Sequence, residues 1–347
     1  MKLKDTRLHG GNMAPPVNSC STRPRAGRVL GALFLISWLA LSLGLPAGAA
    51  DKLPVAATIV PLGDFCRHLG GDGVEVQVLI PPGASPHVFE PSPQVMARAF
   101  KARVFVYVGA GLEPWAVRFL SSRGPGDLAV VEASRGIPLI KEVGEQNHGE
   151  EPKEGHNAQE AGTGKEKPHG AHGAHGHEAG NPHIWLDPVL AQDICRRIAA
   201  ALIQADPGHR DVYEANLKSY LAALEELDRD IRQRAASWRI RDFISFHPSF
   251  TYFARRYHLR EVGVMELAPG REPTPGHLRD LVRSIKDRGL KVVFAEPQLN
   301  PRVAETVARE AGVKVLMLDP VGGPPPYGSD YLRMMRHNLA VMAQAME

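Results

Sequence analysis

Six histidines, His148, His156, His169, His172, His175 and His177, fall in one stretch of glycine, alanine, glutamate and lysine. Such a stretch carries too little apolar surface to fold by itself. Neutral imidazole is a borderline-soft ligand for zinc, copper, nickel and iron. Imidazoles on a tether therefore make a weak, adaptable metal collector. A few residues later comes Asn181-Pro182-His183-Ile184-Trp185-Leu186-Asp187-Pro188. Three more residues of ligand type occupy comparable places: His87 follows Pro86, His247 precedes Pro248 and Asp319 precedes Pro320. Proline fixes its own φ and restricts the residue before it, so these loops are stiff. Three imidazoles and one carboxylate would give zinc a tetrahedral shell. Taken singly, a histidine after a strand is usually a polar loop residue, and an aspartate before proline is commonly a turn or cap residue. Spacing alone does not join four positions so far apart.

The elements that must position these residues read as α/β. Leu53 to Val60, Val74 to Ile80, Val104 to Val108 and Leu128 to Val131 have strand character. Helices are expected over Pro61 to Leu69 and from Ser92, a cap, to about Ala102. Pro188 to Ala205 has helical apolar spacing. A longer helix from about His209 to Ala236 places Tyr213, Leu217, Tyr220, Leu224, Leu227 and Ile231 on one face. The alternation then resumes. Strands are expected over Phe243 to Phe246, Val292 to Ala295 and Val313 to Leu318, and helices over Ser249 to Tyr257, Pro275 to Arg288 (capped by Thr274) and Pro301 to Ala311. Strand–helix alternation implies parallel sheets flanked by helices. The expected organisation is an N-terminal lobe at 51–205, with a His-rich insert at 144–180, a linking spine helix at 206–237 and a C-terminal lobe at 238–347. His87, His247 and Asp319 would sit at strand ends, where ligands of such sheets bind, so the metal site is expected in the cleft between lobes.

The chain has 347 residues, 44% hydrophobic and 23% charged, enough for one large or two medium domains. A net charge of +3 without a basic, aromatic-studded stripe argues against nucleic acid. Arg23, Arg25 and Arg28, the apolar run Val29 to Leu45 and small residues to Ala50 read as a cleavable export signal over 1–50. The alternative is an uncleaved anchor. No cysteine stands at the end of the apolar run, where a mature N-terminus would begin, so a lipid-bearing cysteine is not expected, and a periplasmic location is. Export permits a disulfide between Cys66 and Cys195. Each lies in an apolar helix-like stretch, however, which favours buried free thiols.

The segments PPGASPHVFEPSP (81–93), NPHIWLDP (181–188), DPGHRDVYEANLKSYLAALEELD (206–228), ISFHPSFTYFARRYHL (244–259), FAEPQLNP (294–301) and LDPVGG (318–323) occur in that order across nearly the whole mature chain. In combination they resemble the metal-binding receptors of ABC importers, specifically the periplasmic zinc-uptake receptors. The resemblance implies Zn2+ as the ligand, His87, His183, His247 and Asp319 as its holders, a membrane permease as partner, and the His-rich insert as an accessory. A monomer is expected. Manganese and iron receptors of the wider family carry glutamate at the position of His247, and an extra imidazole suits zinc better. Glu296 ends a strand and reads either as an acceptor for a ligand imidazole or as a structural feature of the interlobe surface. Some zinc receptors carry a second-lobe disulfide; this chain has no cysteine after Cys195. A zinc buffer, a metal chaperone and a manganese-type receptor are the alternatives on the same fold. A zinc hydrolase fits worse, because four protein ligands leave no open position and no HExxH is present.

Overall fold

A computed structural model describes residues 51–124, 126–141, 180–267, 270 and 272–347. The export segment and the six insert histidines lie outside the described residues. In the first lobe, β1 (Leu53–Ala57), β2 (Val74–Val78), β3 (Val104–Tyr107) and β4 (Ala129–Glu132) form one parallel sheet in the order β2-β1-β3-β4. Val55 aligns with Val76 on one side and Val104 on the other. All four residues of β3, VFVY, are buried, as in a strand covered on both faces. Helices α1 (Val60–Gly70), α2 (Pro93–Ala99) and α3 (Pro114–Arg123) each carry proline in the first turn, where its missing N–H has no partner to lose. Strand order reverses between β1 and β3, which opens a crevice at their carboxyl ends.

Helix α4 (Pro188–Ala205) leads into α5 (Arg210–Ala236), which serves as the spine. On α5 the buried residues Tyr213, Tyr220, Leu224, Leu227, Ile231 and Ala235 follow helical spacing. Near its start, Asn216 Nδ2 donates to Leu69 O of the first lobe (3.0 Å). Further along, Asp228 receives Arg256 Nε (2.7 Å) and Tyr257 Oη (3.0 Å) from the second lobe.

The second lobe has two parallel pairs in place of one continuous ladder. β5 (Asp242–Ser245) pairs with β6 (Arg260–Val264), and β7 (Val292–Ala295) with β8 (Lys314–Met317). β5 and β7 lie side by side. Between Phe243 and Ile244 of β5 the register skips Val262 of β6, and such a bulge adds twist that interrupts regular pairing. Around these strands pack α6 (Thr251–Arg256), α7 (Pro275–Asp287), α8 (Arg302–Ala311) and α9 (Tyr331–Met346). Thr274 Oγ1 caps α7 by accepting from His277 N (3.2 Å).

The hydrophobic core does not divide at the lobe boundary. The larger core joins the first sheet and α1 to α4, α5, Phe250 and Phe253, and to Tyr331, Met335 and Met342 of α9. A smaller one lies among Ile244, Leu281, Ile285, Val293 and Val307. Helix α9, last in the chain, is pinned to α1, because Tyr331 N donates to the buried Asp64 carboxylate (3.0 Å). Residues 51–347 accordingly form one compact unit. Cys66 and Cys195 are buried and unpaired, and burial pushes the Cys66 thiol up to about 12. Among the described residues no helix is long and apolar enough to cross a membrane.

Candidate metal centre

Three of the four expected ligands converge. His87 comes from the proline-rich loop after β2, His183 from the turn before α4 and His247 from the end of β5. His87 Nε2 lies 3.1 Å from His183 Nε2, and His247 Nε2 lies 3.2 Å from the same atom. Tetrahedral zinc with Zn–N bonds of about 2.05 Å separates its donors by about 3.3 Å. The three rings line a cavity of about 10 Å³ together with Ser85, Glu296, Gln298 and Pro320, about the size of one water.

The far edge of His183 fixes which of its nitrogens carries the proton, and the far edge of His247 faces a carboxylate. His183 Nδ1 lies 3.0 Å from Asn181 Oδ1. That oxygen can only accept, so the ring donates there and its Nε2 keeps a bare lone pair. His247 Nδ1 lies 2.8 Å from Glu296 Oε1, though off the line of a good hydrogen bond. The carboxylate likewise draws the proton to Nδ1. The bare Nε2 lone pair of His183 faces two further Nε2 atoms at 3.1 and 3.2 Å, so a proton or a cation must lie between the rings, and a set of donors this close can share one ion.

Burial, with the neighbouring His247, drives His87 down to about 3. Burial and both partner rings drive His183 well below the usual imidazole range. His247 behaves oppositely: burial lowers it, but Glu296, backed by Glu261 and Glu266, outweighs that and leaves it raised. Two of the imidazoles are thus neutral at ordinary pH, while the third faces a carboxylate that offsets a bound cation's charge.

Every second position of NPHIWLDP, from Asn181 through His183 and Trp185 to Asp187, has a physical task. Asn181 Oδ1 also accepts from His183 N (3.0 Å), and its Nδ2 donates across the cleft to Pro248 O (2.5 Å). Trp185 Nε1 donates to Pro320 O (2.6 Å), and Tyr331 Oη donates to Trp185 O (2.6 Å). Asp187 caps α4 through Val189 N (2.8 Å) and pairs with Arg256 (3.2 Å). The segment therefore fastens the two lobes together while presenting His183.

Asp319 is not among the clustered donor atoms, in contrast to the four-ligand expectation. Its oxygens are already engaged. Oδ1 accepts from Gln298 Nε2 (2.7 Å), Val321 N (2.9 Å) and Gly322 N (2.8 Å), and Oδ2 accepts from Tyr327 Oη. Its backbone is held on both sides by Asn338 of α9. Asp319 nevertheless borders the site, since its neighbours Gln298 and Pro320 line the cavity with the histidines. The Val321-Gly322-Gly323 loop passes tightly over the His87 loop: a Cβ on Gly323 (φ +108°) would sit 2.5 Å from Pro82 Cβ, so only glycine fits there. Glu296 is buried, accepts from Ser249 Oγ (2.8 Å) and contacts His247. Asn181 and Gln298 were not apparent as site residues from spacing; their side chains acquire roles only through contacts between distant segments.

Residues 55–345 match the family described as zinc-uptake complex component A, periplasmic, and the chain belongs to that family. It is 33% identical over 300 residues to the high-affinity zinc uptake system protein ZnuA of Bacillus subtilis (strain 168), covering 85% of this chain and 88% of that one. It is 29% identical to the zinc-binding protein AdcA of Streptococcus pyogenes serotype M3 (strain ATCC BAA-595 / MGAS315), aligning with 85% of this chain but only 56% of that longer relative. Among solved structures, a zinc-bound ZnuA lacking its residues 138–173 superposes with a TM-score of 0.70 at 30% identity, covering 86% of this chain and 99% of the other.

Proposed function

We propose that this protein captures Zn2+ outside the cytoplasm and delivers it to the permease of an ABC importer, acting by binding and not by catalysis. The observation that carries the reading is the convergence of three imidazole Nε2 atoms at 3.1–3.2 Å, with the far edges of two rings held by Asn181 and Glu296. His87, His183 and His247 are the primary holders of zinc. Asp319 forms the fourth side and becomes a ligand only on leaving some of its present donors. Residues 1–50 direct export to the periplasm and are removed there. The lobes 51–205 and 238–347, joined by the spine at 206–237, act as the two walls of the site. The insert at 144–180, with His148, His156, His169, His172, His175 and His177, is a low-affinity accessory that concentrates zinc near the cleft.

Calorimetric zinc titration of residues 51–347, His247→Ala and a deletion of 148–177 tests this reading. One tight site, lost in His247→Ala and kept in the deletion, is expected. Tight binding that survives His247→Ala and disappears with the insert would place the site in the insert and make the protein a zinc buffer.

A further inference from the structure

Among the described residues, Gln298 is the one donor to the Asp319 carboxylate that lies outside the loop of Asp319 itself. The other three, Val321 N, Gly322 N and Tyr327 Oη, belong to residues 321–327. Gln298 instead follows β7, two residues beyond Glu296, which faces His247. It lines the small cavity of the three histidines and also an adjoining cavity of about 280 Å³ that opens past Ser85, Phe246 and Asn300. Because Nε2 faces the Asp319 carboxylate, the amide orientation is fixed. The other end, Oε1, is buried and receives no hydrogen bond. An unsatisfied buried amide oxygen is costly, and here it belongs to a residue on the wall of a cation site.

Resting on the three-histidine reading above, we propose that Gln298 governs the fourth zinc position. Its Nε2 holds Asp319 back, and its Oε1 accepts a hydrogen bond from the water that occupies that position. Gln298 is thus a positioning residue. It keeps one coordination site exchangeable, which favours release of zinc as well as capture. A zinc-bound water is a strong donor, because the metal polarises its O–H bonds, and it supplies what Oε1 lacks. With Gln298 gone, the water loses its acceptor and Asp319 loses a donor, so the carboxylate can replace the water.

Cobalt(II) reports this exchange through its visible absorption. In Co2+-loaded protein, thiocyanate is expected to displace the water and shift the spectrum. Gln298→Leu should lose that response and release zinc about tenfold more slowly, in line with neighbour effects on metal affinity. Gln298→Leu/Asp319→Asn should regain the thiocyanate response, a result that a merely structural role for Gln298 does not produce. Melting temperatures of the metal-free variants establish that each is folded. The proposal is overturned if wild type does not respond to thiocyanate, since Asp319 would then already be a ligand. It is equally overturned if Gln298→Leu responds as wild type does. His183→Ala separates the two readings: if it still holds one Co2+ tightly, the three-histidine site itself is wrong, whatever Gln298 does.

Discussion

His183 and His247 face each other across the cleft at 3.2 Å, yet they are held in opposite ways. Behind His183 stands the neutral amide of Asn181; behind His247 stands the carboxylate of Glu296. An amide fixes the tautomer and direction of a ring and adds no charge. A carboxylate does the same and also makes the ring more basic, a better donor to a cation. The pKa directions follow: His183 is driven far down and His247 is raised. The site thus separates two tasks. One side supplies a rigid ligand that is always available, and the other supplies negative charge near the dication. A carboxylate behind each of the three rings would have raised the competing proton affinity of them all. Concentrating them behind one ring limits that competition to one ligand.

The largest effect is expected from removing the shared partner. His183 touches both other imidazoles, so His183→Ala leaves two donors without the central one. Structural zinc sites gain about 10–16 kcal/mol from four ligands, about 2.5–4 kcal/mol each, and a loss of that size lowers affinity by about 10²–10³-fold. Competition titration against a chelator measures it. A loss below tenfold would mean that the rings do not share one ion.

Glu296→Gln comes next and isolates the charged side. Affinity at neutral pH should fall by about 10–100-fold. The pH dependence should change as well. Zinc needs His247 deprotonated, and its folded pKa lies above the usual imidazole value. Wild-type affinity therefore declines as pH falls through that raised value. In Glu296→Gln the ring loses its main raising influence, so protons begin to compete only at lower pH. Zinc titrations between pH 5 and 8 compare the two curves; identical midpoints would show that Glu296 does not set the basicity of His247.

The difference between the two sides also marks what was legible in the sequence. The histidines were visible because each adjoins a proline at the end of a strand or before a helix, and Glu296 was visible as an acidic strand terminus. Asn181 carried no such mark, since nothing local reveals that its amide spans from His183 to Pro248. Asp319 was found, but its saturation by Gln298 and Tyr327 depends on a fold-back that spacing does not encode. Among the elements, α4 and α5 were clear from long apolar periodicity. β6 was not, because REVGV is short and broken by glycine. α3 and α9 were not anticipated either. The burial that stabilises α9 lies on α1 and the spine, a contact between opposite ends of the chain.

Asn181→Ala tests the neutral side and should have a smaller effect on zinc than Glu296→Gln. It removes the acceptor for His183 N and Nδ1 and the donor to Pro248 O. The expected cost is about 1–3 kcal/mol of stability from stranded buried groups, and about tenfold in zinc affinity as the ring loses its orientation. Melting with and without zinc separates the two effects. If affinity fell more than in Glu296→Gln, orientation would outweigh charge at this site.

Asp228 provides the reference, since it joins spine to second lobe without touching the cleft. Burial raises its pKa, but hydrogen bonds from Arg256, Arg232 and Tyr257 overcome this and hold it down at about 2, below the ordinary 3.8 of an aspartate. A depressed carboxylate stabilises the fold above its unfolded pKa, and that contribution is lost as pH falls through the folded value. The shift corresponds to about 2 kcal/mol at neutral pH. Asp228→Asn should therefore lower stability by about that amount at pH 7, with the gap to wild type closing as the pH falls from about 4 towards 2. Zinc affinity at pH 7 should stay within about twofold of wild type, since Asp228 touches none of the three histidines and Arg256, freed of one carboxylate, keeps its pair with Asp187 beside the metal segment. A tenfold loss would instead mean that the seam between spine and second lobe helps hold His183 and His247 at their spacing, and that the two sides of the cleft are tuned together.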